Sequence, residues 1–520
     1  MLLPTAVMTT IKCSVLSLAF LVAIASAHKG FNRDACLATV QGGLEDGTIP
    51  PNSSIFFRDD FGRLMSTLEK PMLTIGGCEQ TCGKDFGWYR DIGPRLSTWL
   101  IPVFLLLTNL EVSPLDKRRY MMLAHLLGDP IDSLWSLLTK MEAWSRCHSR
   151  AKEISEHDER NIRNIATVLG GIEEFCGFYM DPSIIYQRII QHSSSDVQKH
   201  VARAAQRLAD SRSDERLRTI LATILYIYQL VSSFIATVGG GNTSPPGGRI
   251  GITMFMTWII PPILISNAIG CFTSPRTCFD ILDDFVLTVR PDTDLWTELQ
   301  AAHPAFQQYK TVESYFESIA HCGAIYTYRP SKRLSFIGSR YDHSPWLLLF
   351  LATTPILISS TVASLIIWHV PPIGLNCRNI LIFSIVILIF LSALSTWVLS
   401  RIGLSGASHW YTVIAKDICL AVPTVVLVFL ATAGRFNSCY CWSGVYSLGS
   451  RARIPLNPVS EFDLFDKTTY PIMVAVCLAL LIVGFGVMMG VGWRGWVVMR
   501  WSEEEKREEW SRVRLWRAHD

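Results

Sequence analysis

The sequence predicts an all-α polytopic membrane protein with about seven transmembrane helices after an N-terminal signal peptide, joined by helical cytosolic loops. Three observations carry that expectation. The 520 residues are 49% hydrophobic and 18% charged, with a mean hydropathy of +0.28, whereas a soluble chain carries about 25% charge. The apolar residues gather into runs separated by polar stretches, which is the pattern of several spans rather than of one large core. Basic residues follow some of those runs, Lys117, Arg118 and Arg119 after the first and Arg494, Arg500, Lys506 and Arg507 after the last, as positive-inside topology requires. The net charge of +3 gives no electrostatic footprint for nucleic acid, and no nucleic-acid-binding signature is present.

Residues 1–27 read as a signal peptide. Lys12 precedes an apolar run from Val15 to Ile24, and Ala25-Ser26-Ala27 supplies small residues for cleavage. An uncleaved anchor is the alternative, and it leaves the downstream topology unchanged. Residues 28–91 then form a lumenal or extracellular segment with a glycosylation acceptor at Asn52-Ser53-Ser54. The first span occupies 92–111, its apolar part running from Leu96 to Leu110. Asp91 and Arg95, four residues apart, would share a helix face at its lumenal mouth as an interfacial ion pair.

Residues 112–218 read as a folded cytosolic helical subdomain. Ser113-Pro114 supplies an N-cap and a first-turn proline. Gly128 ends that helix, and Asp129-Pro130 starts the next with the same device. Ile131, Leu134, Trp135, Leu138 and Met141 line one face of it, suited to packing on other helices or lying on the membrane surface. Ser195 and Gln198 form a capping box for a later helix. Asp129 and Asp132 have the spacing of an acid pair or of Mg²⁺ ligands, but capping already accounts for Asp129.

Residues 219–272 form a two-span hairpin, about Thr219 to Val238 and Ile250 to Phe272, whose Gly/Pro-rich turn carries a second acceptor at Asn242-Thr243-Ser244. Pro261-Pro262 should kink or break the third span, and Asn267 reads as interhelical glue. The cytosolic loop 273–344 opens with Asp280, Asp283 and Asp284. Such clusters bind Mg²⁺–diphosphate in soluble terpene enzymes, but one without a second ligand motif is explained by an exposed helix start.

Residues 345–493 hold the fourth to seventh spans, about Trp346 to Trp368, Ile380 to Leu399, Thr412 to Ala433 and Pro471 to Trp493, with lumenal cysteine-bearing loops. Lys416 and Asp417 sit about one turn inside the sixth, where charge is costly unless it snorkels or pairs, with His409 nearby. They are the leading intramembrane polar candidates. Gly486 and Gly490 have a GxxxG spacing that permits close packing. The tail 494–520 should be cytosolic and partly bound to the membrane surface through Trp493, Trp496 and Trp501.

This topology places Asn52, Asn242 and the cysteines Cys36, Cys78, Cys82, Cys377, Cys439 and Cys441 in one compartment, an oxidising one that favours disulfides. Their pairing stays open, although Cys439 and Cys441 are too close to bond comfortably and should each reach a different loop. Cys78 and Cys82 have metal-ligand spacing, but no histidine pattern supports a metal, so none is expected. No G-x-S-x-G, H-E-x-x-H or P-loop occurs, and no cofactor is expected.

The run DIGPRLSTWLIPVFLLL, the stretch SPLDKRRYMMLAHLLGDPIDSLWSLLTKMEAW and the later GRFNSCYCWS resemble a set of filamentous-fungal polytopic membrane proteins with no established activity, over most of the chain from Cys78 onward. The resemblance implies a fungal membrane setting and carries over no catalytic residue. By analogy with membrane terpene cyclases of fungal secondary metabolism, the favoured reading is a membrane-embedded enzyme acting on a lipophilic, isoprenoid- or terpenoid-type substrate. Its cyclisation form needs an acid to protonate an alkene or epoxide in a water-poor, aromatic-walled pocket. The candidate catalytic residues are Asp417, Lys416, Asp129 and Asp132. The alternatives are a transporter, a seven-helix receptor and a membrane scaffold. The expected partners are the lipid bilayer and a lipophilic small molecule. The expected location is a secretory-pathway membrane, the endoplasmic reticulum or plasma membrane, with the N-terminus lumenal or extracellular and the C-terminus cytosolic.

Overall fold

A computed structural model of the chain describes residues 33–49, 57–58, 72–83, 101–110, 119–155, 158–176, 179–191, 197–212, 216–232, 246–272, 274–319, 343–402, 406–433, 436–455, 465–501, 505, 507–508 and 511. The signal peptide, both glycosylation acceptors, the Asp91–Arg95 pair and the caps at Ser113 and Ser195 lie outside those residues.

The protein is all-α, and the described residues hold five helices long and apolar enough to cross a membrane: Gly247–Ile269, Pro345–Trp368, Cys377–Arg401, Ser408–Thr432 and Lys467–Val491. Two more expected spans are described in part. Residues 101–108 are helical, and Arg216–Ser232 is a helix with a shorter apolar stretch, Thr219–Tyr228. Small β-pairings are the exception to the helical plan: Phe57–Arg58, Met72–Leu73 and Ile454–Pro455 form an antiparallel sheet with Phe57 opposite Leu73 and Met72 opposite Pro455.

Local chemistry explains the helix ends and the one interruption. Asn376 caps Cys377–Arg401 with a full capping box. The expected break at Pro261-Pro262 takes the form of a 3₁₀ turn over Met256–Ile259 followed by Ile260–Ile269, whose first turn holds both prolines. There a missing N–H breaks no helical bond. Asn267 does bridge helices: its Nδ2 donates to Asn109 O at 2.6 Å. Gly486 and Gly490 behave differently from the expectation drawn from their spacing. A Cβ at either would meet open space, so no described helix packs there.

The spans alternate in direction and define two ends. One end joins Trp368, Cys377, residues 436–455 and Tyr470 to the N-terminal helices Arg33–Glu45 and Ile75–Cys82. Three disulfides hold it, Cys36–Cys82, Cys78–Cys439 and Cys377–Cys441, around a small core of Val40, Leu73, Val370, Trp442 and Ile454. Neighbouring Cys439 and Cys441 thus tie to two separate segments. Arg378 stacks over Trp442 at 4.7 Å, and the helix beginning near Gly247 passes so close that a Cβ at Gly248 would press on both. At the other end, and within the spans themselves, the described cysteines Cys147, Cys176, Cys271, Cys278, Cys419 and Cys477 take part in no disulfide.

The other end is organised by the Pro130–Ile154 helix. The sequence suggested one apolar face, but the helix is buried on nearly every side, with Asp132, Lys140 and Glu142 among its buried residues. On one flank Gly170 of Glu159–Cys176 lies against the Trp144 ring. On another, Gly495 of Trp493–Met499 lies against the backbone at Met141. A third faces the ends of the Pro345–Trp368 and Cys377–Arg401 helices. Buried charges on it are paired: Lys140 with Glu174 at 2.9 Å and Glu142 with His343 at 2.8 Å. The start of the tail docks on this assembly. Trp501 is buried and donates through Nε1 to Thr167 at 3.2 Å, and Arg163 bonds Arg500 O at 2.8 Å. The interface role expected of Trp501 therefore gives way to packing on protein.

Candidate functional site

Four elements converge where the Pro130–Ile154 helix meets the spans. The helix Arg119–Gly128 contributes His125 from its last turn. Asp129 then caps Pro130–Ile154, its Oδ1 accepting Asp132 N–H at 3.1 Å, and this leaves its Oδ2 for the membrane helices. Ser392 and Thr396 lie one turn apart on Cys377–Arg401, so both hydroxyls face the same neighbour. Lys416 and Asp417 come from the Gly406–Ala433 helix. Gly128 makes the approach possible, because a Cβ there would stand 2.5 Å from the Asp417 carbonyl oxygen.

The side chains form one connected network. Lys416 Nζ reaches Asp129 Oδ2 at 3.0 Å, Asp417 Oδ1 at 2.7 Å and Ser392 Oγ at 2.7 Å, and it also bonds Thr396. Thr396 donates to Asp129 as well. His125 Nδ1 meets Asp417 Oδ2 at 2.6 Å, and its Nε2 lies 3.3 Å from Asp132 Oδ2. Trp410 packs edge-on to the imidazole, with ring centroids 6.2 Å apart. His125, Asp129 and Asp417 are all 0% exposed, so bulk water does not solvate these charges.

Burial alone would depress the His125 imidazole, but the Asp417 and Asp132 carboxylates outweigh it and push it up to about 9. At neutral pH the ring is an imidazolium that donates from both nitrogens. Burial raises Asp129 above the ordinary carboxylate range, and the Lys416 ammonium pulls it back in part. Two cations, His125 and Lys416, thus face three carboxylates, Asp129, Asp132 and Asp417. One additional proton makes the cluster neutral, which a buried site favours.

Of the three carboxylates, Asp132 also lines a crevice. About 380 Å³ lies open between the first turns of Pro345–Trp368 and the last turns of Cys377–Arg401, a size within the small-molecule range. Trp135, Trp346, Phe390 and Trp397 supply aromatic walls, and Arg401 stands among the lining residues with its guanidinium over the Trp397 ring. Trp346 is 73% exposed, so the crevice opens sideways at the surface of the bundle.

The structure brings together all four candidate catalytic residues, Asp129, Asp132, Lys416 and Asp417. It adds His125, Ser392 and Thr396, which sequence reasoning passed over. His125, Asp129 and Asp132 follow one another at helical spacing, the signal that could have marked one face. The span residues Ser392 and Thr396 carried no comparable signal. His409 is buried two turns before Lys416, and its neighbour Trp410 is the residue on His125. The Asp280–Asp284 cluster has structural partners: Asp283 accepts the Leu295 N–H at 2.8 Å, and Asp284 pairs with Arg207. The sulfur atoms of Cys36, Cys78 and Cys82 lie within 4.8 Å of one another. Each is already in a disulfide, so they offer no thiolate to a metal. No protein-family model, curated protein or solved structure matches the chain.

Proposed function

We propose that the protein is a membrane-embedded enzyme that acts on a lipophilic, isoprenoid- or terpenoid-type substrate, with Asp132 as its general acid. The observation that carries this reading is the double membership of Asp132, which joins the buried charge network and also lines the aromatic crevice. Asp417, the leading acid on sequence grounds, is fully enclosed and has no surface for a substrate. It and Lys416 are positioning residues, holding His125 and Asp129 in place.

In the proposed step, Asp132 holds the one additional proton that makes the cluster neutral and gives it to an alkene or epoxide. An O–H bond of the acid breaks, a C–H or O–H bond forms on the substrate, and the substrate becomes a cation. The indole faces of the crevice stabilise that cation, each by about 0.5–2 kcal/mol. The carboxylate left behind faces the His125 imidazolium. Loss of a proton from the cation back to Asp132 restores the acid, so the reaction is a redox-neutral isomerisation or cyclisation. General acid catalysis of this kind supplies about 10²–10⁴-fold in rate.

The same reading sets the protein in a secretory-pathway membrane with seven spans after a signal peptide. The disulfide end is lumenal and glycosylated at Asn52 and Asn242, and the Pro130–Ile154 end and the tail are cytosolic. The separation of the disulfide-bonded cysteines from those in no disulfide supports it. The fungal secondary-metabolite setting rests on the motif resemblance alone. A proton-coupled transporter is the second reading, favoured by the buried charge cluster and, separately, by the proline-interrupted helix at Pro261-Pro262.

Metabolite profiling of a strain lacking the protein separates the two readings. An enzyme leaves an accumulated precursor and a missing isomer, both reversed by the wild-type gene but not by Asp132→Asn. A transporter leaves total amounts unchanged and alters only their distribution across the membrane.

A further inference from the structure

A second cavity lies on a different face of the Cys377–Arg401 helix from the Asp132 crevice. It encloses about 150 Å³, a size at which an apolar cavity stays dry and admits a six-membered ring. Its walls come from residues 101–108, from Leu127 of the Arg119–Gly128 helix and from the Arg216–Ser232, Gly247–Ile269, Cys377–Arg401 and Ser408–Thr432 helices, and none of the described residues lining it is charged. Phe104 and Val425, both wall residues, are 52% and 41% exposed, so the cavity borders the outer, lipid-facing surface of the bundle.

One polar group in that wall is unmet. Trp258 is 4% exposed, and its Nε1–H has no acceptor among the described residues. Three other polar wall groups have partners: Tyr226 donates to Thr253 O at 2.9 Å, Thr253 to Arg249 O at 3.2 Å and Thr432 to Val428 O at 2.8 Å, and Thr424 adds a further hydroxyl to the wall. A bare indole N–H is costly where no water can reach it, and an oxygen acceptor on an occupant would satisfy it. A charged occupant would find no counter-ion.

We propose that this cavity binds a neutral, bilayer-derived lipid with one terminal oxygen, a ketone or hydroxyl, which accepts the Trp258 Nε1–H while its apolar body lies against Phe104, Ile252, Val428 and Phe429. The site is separate from the Asp132 crevice and does not depend on the catalytic reading.

The test uses the full chain in phosphatidylcholine nanodiscs with a diazirine derivative of geranylacetone as probe, and the corresponding hydrocarbon without the carbonyl as comparator. Labelled peptides are mapped by mass spectrometry. The ketone should label residues 252–258 and 424–432 saturably. Trp258→Phe, which keeps a ring and removes the donor, should weaken ketone labelling about 3–10-fold, the range of one neutral hydrogen bond, and leave the hydrocarbon unchanged. Val428→Trp, which fills the cavity, should abolish saturable labelling by both probes in protein that still elutes as a single species. Non-saturable labelling spread over the lipid-facing helices overturns the site, as does ketone labelling indifferent to Trp258→Phe. If Val428→Trp fails to fold, the Trp258→Phe comparison decides the matter alone.

Discussion

Asp129 and Lys416, separated by 287 residues, meet at 3.0 Å where the cap of the Pro130–Ile154 helix enters the membrane bundle. The carboxylate therefore has two tasks, closing the helix N-terminus through Oδ1 and receiving the ammonium through Oδ2. This junction makes the helical region and the spans one structural unit, and the following outcomes are expected from it.

Replacing Lys416 by Met leaves Asp129 and Asp417 buried without their shared cation. Breaking a buried pair in this way costs about 3–5 kcal/mol, more than the pair itself contributes. Thermal unfolding in detergent should show a large drop in midpoint. The double variant Lys416→Met with Asp129→Asn should recover part of it, because the Asn side-chain oxygen still caps the helix.

Stability should fall on the alkaline side. His125 is held at about 9 against an ordinary 6.5, so its folded pKa is raised. Its contribution is fully present below pH 6.5 and is lost as pH rises through about 9. At 1.36 kcal/mol per unit that is on the order of 3 kcal/mol. Unfolding midpoints measured from pH 6 to about 10 should decline for the wild type and stay flatter for His125→Gln.

Gly128→Ala should destabilise by about 1–3 kcal/mol, the range for overpacking, because the new Cβ has backbone rather than a movable side chain 2.5 Å away. The loss should appear as faster proteolysis near residues 119–132, while the disulfide end is unaffected.

Limited proteolysis on non-reducing gels should keep a fragment containing Cys78 joined to one containing Cys439, and a reductant should release it. Cys439→Ser should release the same fragment without reductant. Maleimide added from outside sealed vesicles should leave Cys147 unlabelled under both conditions, since it is buried at the opposite end.

Much of the fold was legible because long apolar runs have few alternatives to spanning helices. Asp129-Pro130 announced a helix start and Pro261-Pro262 an interruption of the third span, through local chemistry that packing did not alter. The burial of Asp132, Lys140 and Glu142 was hidden, since their partners His125, Glu174 and His343 come from other elements or later turns. Some site residues also had a local explanation: Asp129 as a cap, Lys416 as a snorkelling charge. Only the fold brings Arg119–Gly128, Cys377–Arg401 and Gly406–Ala433 together, and no sequence spacing encodes that contact. Ser392 and Thr396 illustrate the limit, because hydroxyls in a span usually bond their own helix backbone.

The central claim is that Asp132 delivers a proton into the aromatic crevice, and product formation by the purified full chain tests it most directly. The chain is reconstituted in phosphatidylcholine nanodiscs and incubated with a terminally epoxidised linear polyprene, and its products are resolved by gas chromatography and mass spectrometry. The account predicts an isomeric product of unchanged mass from the wild type. Asp132→Asn, with an unfolding midpoint near that of the wild type, should form it about 10²–10⁴-fold more slowly, and Asp132→Glu should restore part of the rate. Undiminished product formation by a folded Asp132→Asn protein would contradict the account.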